Sequence, residues 1–154
     1  MTLRRKLGGP ELAWGLSSGV GSANTLRVAK LRGPLTHAAL VAAFAWLQKK
    51  HPLLQVRVEN RHDELFFTSE HVGAVPVAWR VVSGSEDFSR LCEDELNTAI
   101  DWTVGPLVRV TAVEHLGDKG SHSVLIVFHH AINDSTSSTQ LVTQMLSVLA
   151  RNTA

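Results

Sequence analysis

Val124-Leu125-Ile126-Val127-Phe128-His129-His130-Ala131-Ile132-Asn133-Asp134-Ser135 is the stretch that decides how this chain folds. Its first five residues are all apolar, the mark of a strand buried on both faces. The strand delivers two adjacent histidines to its C-terminal edge, and an aspartate follows four residues after the second. Imidazole is the side chain best suited to move a proton near neutral pH. Consecutive side chains of a regular strand point to opposite faces. One histidine should therefore face the core or a sheet neighbour, and the other the working face.

Working outward, the 154 residues read as one domain, residues 1–154, with a sizeable core. Apolar residues make up 44% and charged residues 19%, with a net charge of +1, which is the balance of a globular protein. Lys and Arg are interspersed with acids, so no nucleic-acid footprint is expected. Arg4-Arg5-Lys6 runs into Leu7-Gly8-Gly9-Pro10, which does not read as a signal peptide. No apolar run is long enough to span a membrane. Cys92 is a single cysteine, which excludes an internal disulfide and fits a reducing, cytoplasmic setting. It sits on the stripe Phe88, Leu91, Cys92, Leu96 and reads as a small core residue.

Gly8 to Asn24 is rich in Gly and Ser and reads as irregular chain; Thr25 to Leu31 reads as a strand. Thr36 to Lys50 has helical spacing, with Thr36 as N-cap and Pro52 closing it. Three strands are predicted next, Leu53 to Glu59, Glu64 to Ser69 and Val75 to Val82, arranged as a meander. A helix over Glu86 to Ile100 starts from Ser85. Leu107 to His115 and His122 to His129 should form a hairpin about Gly117-Asp118-Lys119-Gly120. A last helix covers Thr136 to Ala150. The order predicts an α+β fold with a mixed, largely antiparallel sheet flanked by helices.

Four segments resemble one family. His129 to Ser135 resembles the HHxxxDG motif of the chloramphenicol acetyltransferase-like superfamily, which includes condensation domains and alcohol acyltransferases. Gly33-Pro34-Leu35 looks like its G-x-L, Lys50-His51-Pro52-Leu53-Leu54 like its R-H-P-x-L, and Gly105-Pro106-Leu107-Val108-Arg109 like its G-P-L-x-R. They occur in order across nearly the whole chain, which resembles the N-terminal half of that fold. The resemblance implies an acyltransferase with His130 as general base, His129 in support and Asp134 as a structural residue that holds its loop by an ion pair with an arginine. It implies acyl-CoA or an acyl-phosphopantetheine carrier as donor, an alcohol or amine as acceptor, and no permanently bound cofactor.

Other readings compete. Asn133, Asp134 and Ser135 are all good N-cap types, so capping alone explains part of the segment. A metal site is disfavoured because adjacent strand histidines diverge and no Cys pair or HExxH is present. Gly15-Leu16-Ser17-Ser18-Gly19 matches GxSxG but lacks the preceding strand and following helix. Gly19-Val20-Gly21 lacks the third glycine of a dinucleotide loop. The four tryptophans, Trp14, Trp46, Trp79 and Trp102, read as core or cleft walls.

Three departures from the family pattern stand out. Ser135 replaces the usual glycine, which matters if that position needs positive φ. Gln55 stands where an arginine often follows, leaving Arg57 or Arg109 as partners for Asp134. The chain also ends one helix past the histidines, whereas family members carry a second half. The expectation is a complementary C-terminal half, a homo-oligomer, or a noncatalytic interaction module or truncated subdomain on the same half-fold.

Overall fold

A computed structural model describes residues 2–17 and 24–153, with side chains for residues 2–13 and 24–152. The elements run β1 (Arg4–Lys6), α1 (Gly9–Ser17), β2 (Asn24–Arg32), α2 (His37–Lys50), β3 (Arg57–Arg61), β4 (Glu64–Thr68), β5 (Val77–Val82), α3 (Ser85–Asn97), β6 (Val108–His115), β7 (Ser121–His129) and α4 (Ser135–Thr153). Single 3-10 turns cover Pro52–Gln55 and His130–Ile132. The α+β class expected from the element order is the class found.

Two sheets form. The larger has the order β2-β7-β6-β5, and the smaller β1-β4-β3. β7 pairs antiparallel with β2 and β6, while β5 lies parallel to β6. β7 is central, and all residues from His122 to His129 are buried, as its unbroken apolar run predicts. Alternation along it sorts two cores. Val124, Ile126 and Phe128 face the main core with Phe44, Leu47 and Met145 of α2 and α4. Leu125 faces the other way, with Val113 and Val82, towards Phe88, Leu91 and Cys92 of α3.

Several expectations are corrected. The Gly- and Ser-rich start contains α1, opened by Pro10 near its N-terminus and by Glu11, whose carboxylate accepts the Gly8 amide at 2.6 Å. The three-strand meander is absent. β3 and β4 form a hairpin, whereas β5 joins the other sheet. Local alternation fixes the faces of a strand but not its neighbours, so periodicity does not separate the two. Leu53 to Gln55 lies in a 3-10 turn, because Pro52 has no amide to donate to a ladder. The α3 cap is Gly84 at φ 90°, not Ser85. Asp87 instead accepts from the Ser83 amide and hydroxyl just before it. The Thr36 cap of α2 is as expected, its hydroxyl accepting the Ala39 amide at 3.1 Å.

Gly105 has a specific task. At φ +63° an added Cβ would lie 2.6 Å from the Val56 carbonyl oxygen. The loop before β6 thus passes against the chain entering β3, which ties the G-P-L-x-R-like segment to the smaller sheet. No described helix is long and apolar enough to cross a membrane.

Candidate active site

β7 ends at His129, whose amide donates to the Leu107 carbonyl at 2.9 Å. The chain then tightens into the 3-10 turn that opens with His130. His129 is 1% exposed and His130 is half-buried. The two rings divide between interior and surface because the strand stops between them, not because one regular strand presents both faces.

His129 is held from two sides. Its Nδ1 accepts the Ala131 amide at 3.0 Å. That bond requires a lone pair on Nδ1, so the neutral ring carries its proton on Nε2. Its ring stacks on Trp102, with centroids 5.6 Å apart and planes inclined by 19°. Nε2 finds no hydrogen-bond partner among the described residues. Burial, and then the neighbouring His130, lower the pKa of His129 below the ordinary imidazole value. A sealed, neutral ring is poorly placed to trade protons with a substrate. His130 is the histidine of the pair that retains access to the surface.

Asp134 is exposed and caps α4. Its Oδ1 accepts the Ser137 amide at 2.7 Å, and its carbonyl accepts the Ser138 amide at 3.0 Å. The Ser137 amide, and then its side chain, hold the Asp134 carboxyl below the usual carboxylate range. The expected ion pair with an arginine is not formed among the described residues. Arg57 lies 3.7 Å from Glu59 and donates to the Glu70 carbonyl at 2.8 Å. Arg109 pairs with Glu95 at 2.9 Å and also donates to the carbonyls of Glu95 and Thr98. Its work is to tie α3 to β6. Gln55 donates to the Gln48 carbonyl at 2.6 Å. Among the described residues, the bonds given for the aspartate run to its own helix. Ser135 is the first residue of α4 and is not at positive φ, so the absent glycine leaves no strain.

Other residues secure the segment across long sequence separations. Asn133 Nδ2 donates to the Thr25 hydroxyl at 3.1 Å. Arg27 Nε donates to the hydroxyl of the fully buried Ser138 at 2.8 Å. Asn24 Nδ2 donates to the carbonyls of Leu96 and Thr98. Asn133 lies within the histidine segment, but nothing in the sequence points to its bond with Thr25, and Arg27 and Asn24 carry no motif or periodicity at all. Trp102 stands out in the sequence only as a core or cleft wall.

A cavity of about 170 Å³ lies between the Pro52 turn and the loop leading into α4, bordered by His51, Leu54, Phe128, Asn133 and Ser137. A groove of about 700 Å³ is lined by Leu7, Leu12, Val58, Leu65 and Trp102, with Lys6 and Glu64 among its polar members. That volume is enough for an organic substrate. α1 also packs against the turn that carries His130, so groove and turn share α1 as a neighbour. A third groove, near 580 Å³, includes Lys30, Arg32, His115 and Ser123. It sits at the far end of β7, about 20 Å or more from His129 at strand rise, and does not belong to this site. Of the GxSxG match, Gly15 to Ser17 close α1 rather than follow a strand, while Ser18, Gly19 and the Gly19-Val20-Gly21 segment lie outside the described residues.

No protein-family model and no curated protein matches the sequence. Solved structures do. The starter condensation domain of the rhizomide synthetase RzmA superposes with TM-score 0.77 at 13% identity, over 96% of this chain and 37% of that one. A variant of the same domain in complex with C8-CoA and Leu-SNAC gives 0.79 at 13%, over 94% and 35%. The epimerization domain from the third module of tyrocidine synthetase B gives 0.76 at 14%, over 97% and 36%. The chain has the fold of these domains and spans about a third of their length. The fold implied by the four sequence segments is thus present.

Proposed function

We propose that this chain is part of an acyltransferase of the condensation type, with His130 as general base, His129 in support and Asp134 as a structural cap. One observation carries the reading. Within this fold, at the C-terminal end of the central strand, His130 is the imidazole that keeps contact with the surface while its neighbour is sealed and neutral. The donor is an acyl thioester on coenzyme A or on a phosphopantetheine arm. A solved domain of the same fold was captured with C8-CoA and Leu-SNAC, which supports that class.

The chemistry follows from a neutral imidazole. His130 accepts the proton of the acceptor hydroxyl as its oxygen attacks the thioester carbonyl. The tetrahedral intermediate collapses, the C–S bond breaks, and the leaving thiolate takes the proton back from the imidazolium. No acyl-enzyme is formed. Such base catalysis contributes roughly 10²–10⁴-fold, and alignment of donor and acceptor supplies more. An amine acceptor depends less on the base.

This chain covers 37% of the matched domain; in this reading a complementary segment or a second copy of the chain forms the opposite wall of the substrate channel. Sedimentation at micromolar concentration reads the second arrangement directly. Two other readings share this fold. An epimerization domain has it too, and there the same base would take a proton from carbon. A noncatalytic module would need no base at all. Thiol release from a panel of acyl-CoA donors, with alcohol and amine acceptors, separates them. Acyl transfer that is lost in His130→Ala is the expected result. Activity that survives His130→Ala removes the base assignment. A folded protein inert with every donor, alone and with its complementary half, leaves the module and the epimerization reading, and exchange of the α-proton of an aminoacyl thioester with solvent deuterium tells those two apart.

A further inference from the structure

Trp102 lies on the segment between α3 and β6, and its carbonyl accepts the Val58 amide at 2.6 Å. The indole is half-buried and borders the groove formed by Leu7, Leu12, Val58 and Leu65. It also stacks on the His129 ring, nearly parallel to it. His129 has one hydrogen bond to fix its orientation, from the Ala131 amide to Nδ1, and its Nε2 has no partner among the described residues. The torsion that turns an imidazole about its Cβ–Cγ bond is broad. One hydrogen bond does not confine it well, because the angular dependence of such bonds is soft near the optimum. A flat indole does confine it, since tilting the imidazole drives its edge into the indole face. Ala131 directly follows His130 in the same 3-10 turn. From indole to turn there are two contacts.

We propose that Trp102 is a positioning residue for His130: its indole face holds the His129 ring at the angle where Nδ1 takes the Ala131 amide, and that bond fixes the turn presenting His130. The proposal rests on the reading of His130 as the working base. It also assigns a role to the buried histidine. His129 acts as a spacer with one acceptor and one flat face, and a protonated ring could not serve, because Nδ1 would then be a second donor facing a donor.

The test uses the full chain, labelled with nitrogen-15, and the substitutions Trp102→Phe, Trp102→Leu and Trp102→Ala. Leucine keeps apolar bulk but offers no plane; phenylalanine keeps the plane. In the wild-type and Phe proteins, ring nitrogen shifts should report His129 as the single Nε2–H tautomer, with a protected Ala131 amide. In the Leu protein the tautomers should mix, and Ala131 exchange should quicken by about tenfold or more. In the thiol-release assay the Leu protein should lose about tenfold or more in kcat at little cost in KM, and Phe should restore it. A Leu protein that keeps one tautomer and wild-type Ala131 exchange overturns the proposal. If the Ala protein fails to fold, the Leu and Phe pair decides. If wild-type protein turns over no donor, alone and with its complementary half, the base reading fails, while the Ala131 exchange and His129 tautomer still decide whether Trp102 holds the ring.

Discussion

The Asp134 carboxylate accepts the Ser137 amide at 2.7 Å, so this aspartate belongs to the helix that follows it and not to an ion pair across the loop. A carboxylate at a helix N-terminus satisfies a free amide and meets the positive end of the helix dipole. Both benefits survive without an arginine.

Asp134→Ala should therefore lower the melting temperature, and Asp134→Asn should lower it less, because the amide oxygen still caps. Arg57→Glu and Asp134→Ala should act additively, since Arg57 pairs with Glu59. Thermal melts of the two single variants and the double variant check this. A strong coupling between them would mean that the two side chains meet after all.

His129 links stability to pH. Its folded pKa lies below the ordinary 6.5, through burial and then through His130. The unfolded chain therefore binds the proton first as the medium is acidified. Stability from the neutral ring is full above 6.5 and is lost as pH falls from there through the lower folded value. Melting temperatures of wild type and His129→Phe, followed from about pH 8 down to about pH 5, should converge, because the variant has no such proton to take up. A gap that stays constant would mean that the ring is not held neutral by the fold.

Gly105→Ala should be among the most damaging single-methyl substitutions in this chain. The new Cβ would sit 2.6 Å from the Val56 oxygen at a φ of +63°. Strain at a left-handed position costs about 1–3 kcal/mol before the clash is counted. Denaturant melts should show a loss above that range. Gly33→Ala has the positive φ but nothing within 4 Å, and should lose less.

Arg109→Met should loosen α3. It strips the Glu95 carboxylate, a mostly buried group, of its charged partner and leaves it the Thr111 hydroxyl at 2.9 Å among the described residues. An orphaned, mostly buried acceptor costs roughly 1–3 kcal/mol, and more when charged. Amide exchange in α3 should quicken more than exchange in α2. Adding Glu95→Leu should recover part of the loss, since the stranded charge is then gone.

Much of the site is legible in the chain. The apolar run before His129 predicts a buried strand, and β7 is that strand. Thr36 and Pro52 mark the ends of α2 because caps and breakers act within a few residues. The strand edge predicts that the two histidines part, and they do, although a tightened turn separates them. The partner of Asp134 is not legible, since Arg57 and Arg109 can be weighed against each other only by distance in space. α1 is hidden as well, because Gly and Ser around Pro10 and Glu11 mask a short helix held by tertiary contact.

The sequence by itself determined most of the strands and helices from β2 onward, that β7 is buried, and that an imidazole stands at its end, but not β1 or α1. Periodicity, capping and φ preference are properties of neighbours along the chain. Only the tertiary structure decided that β5 leaves β4 for β6, that Trp102 stacks on His129, and that Asn133 reaches Thr25. Those relations join residues far apart in sequence through packing and directional bonds, and no local pattern encodes which distant partner closes the contact.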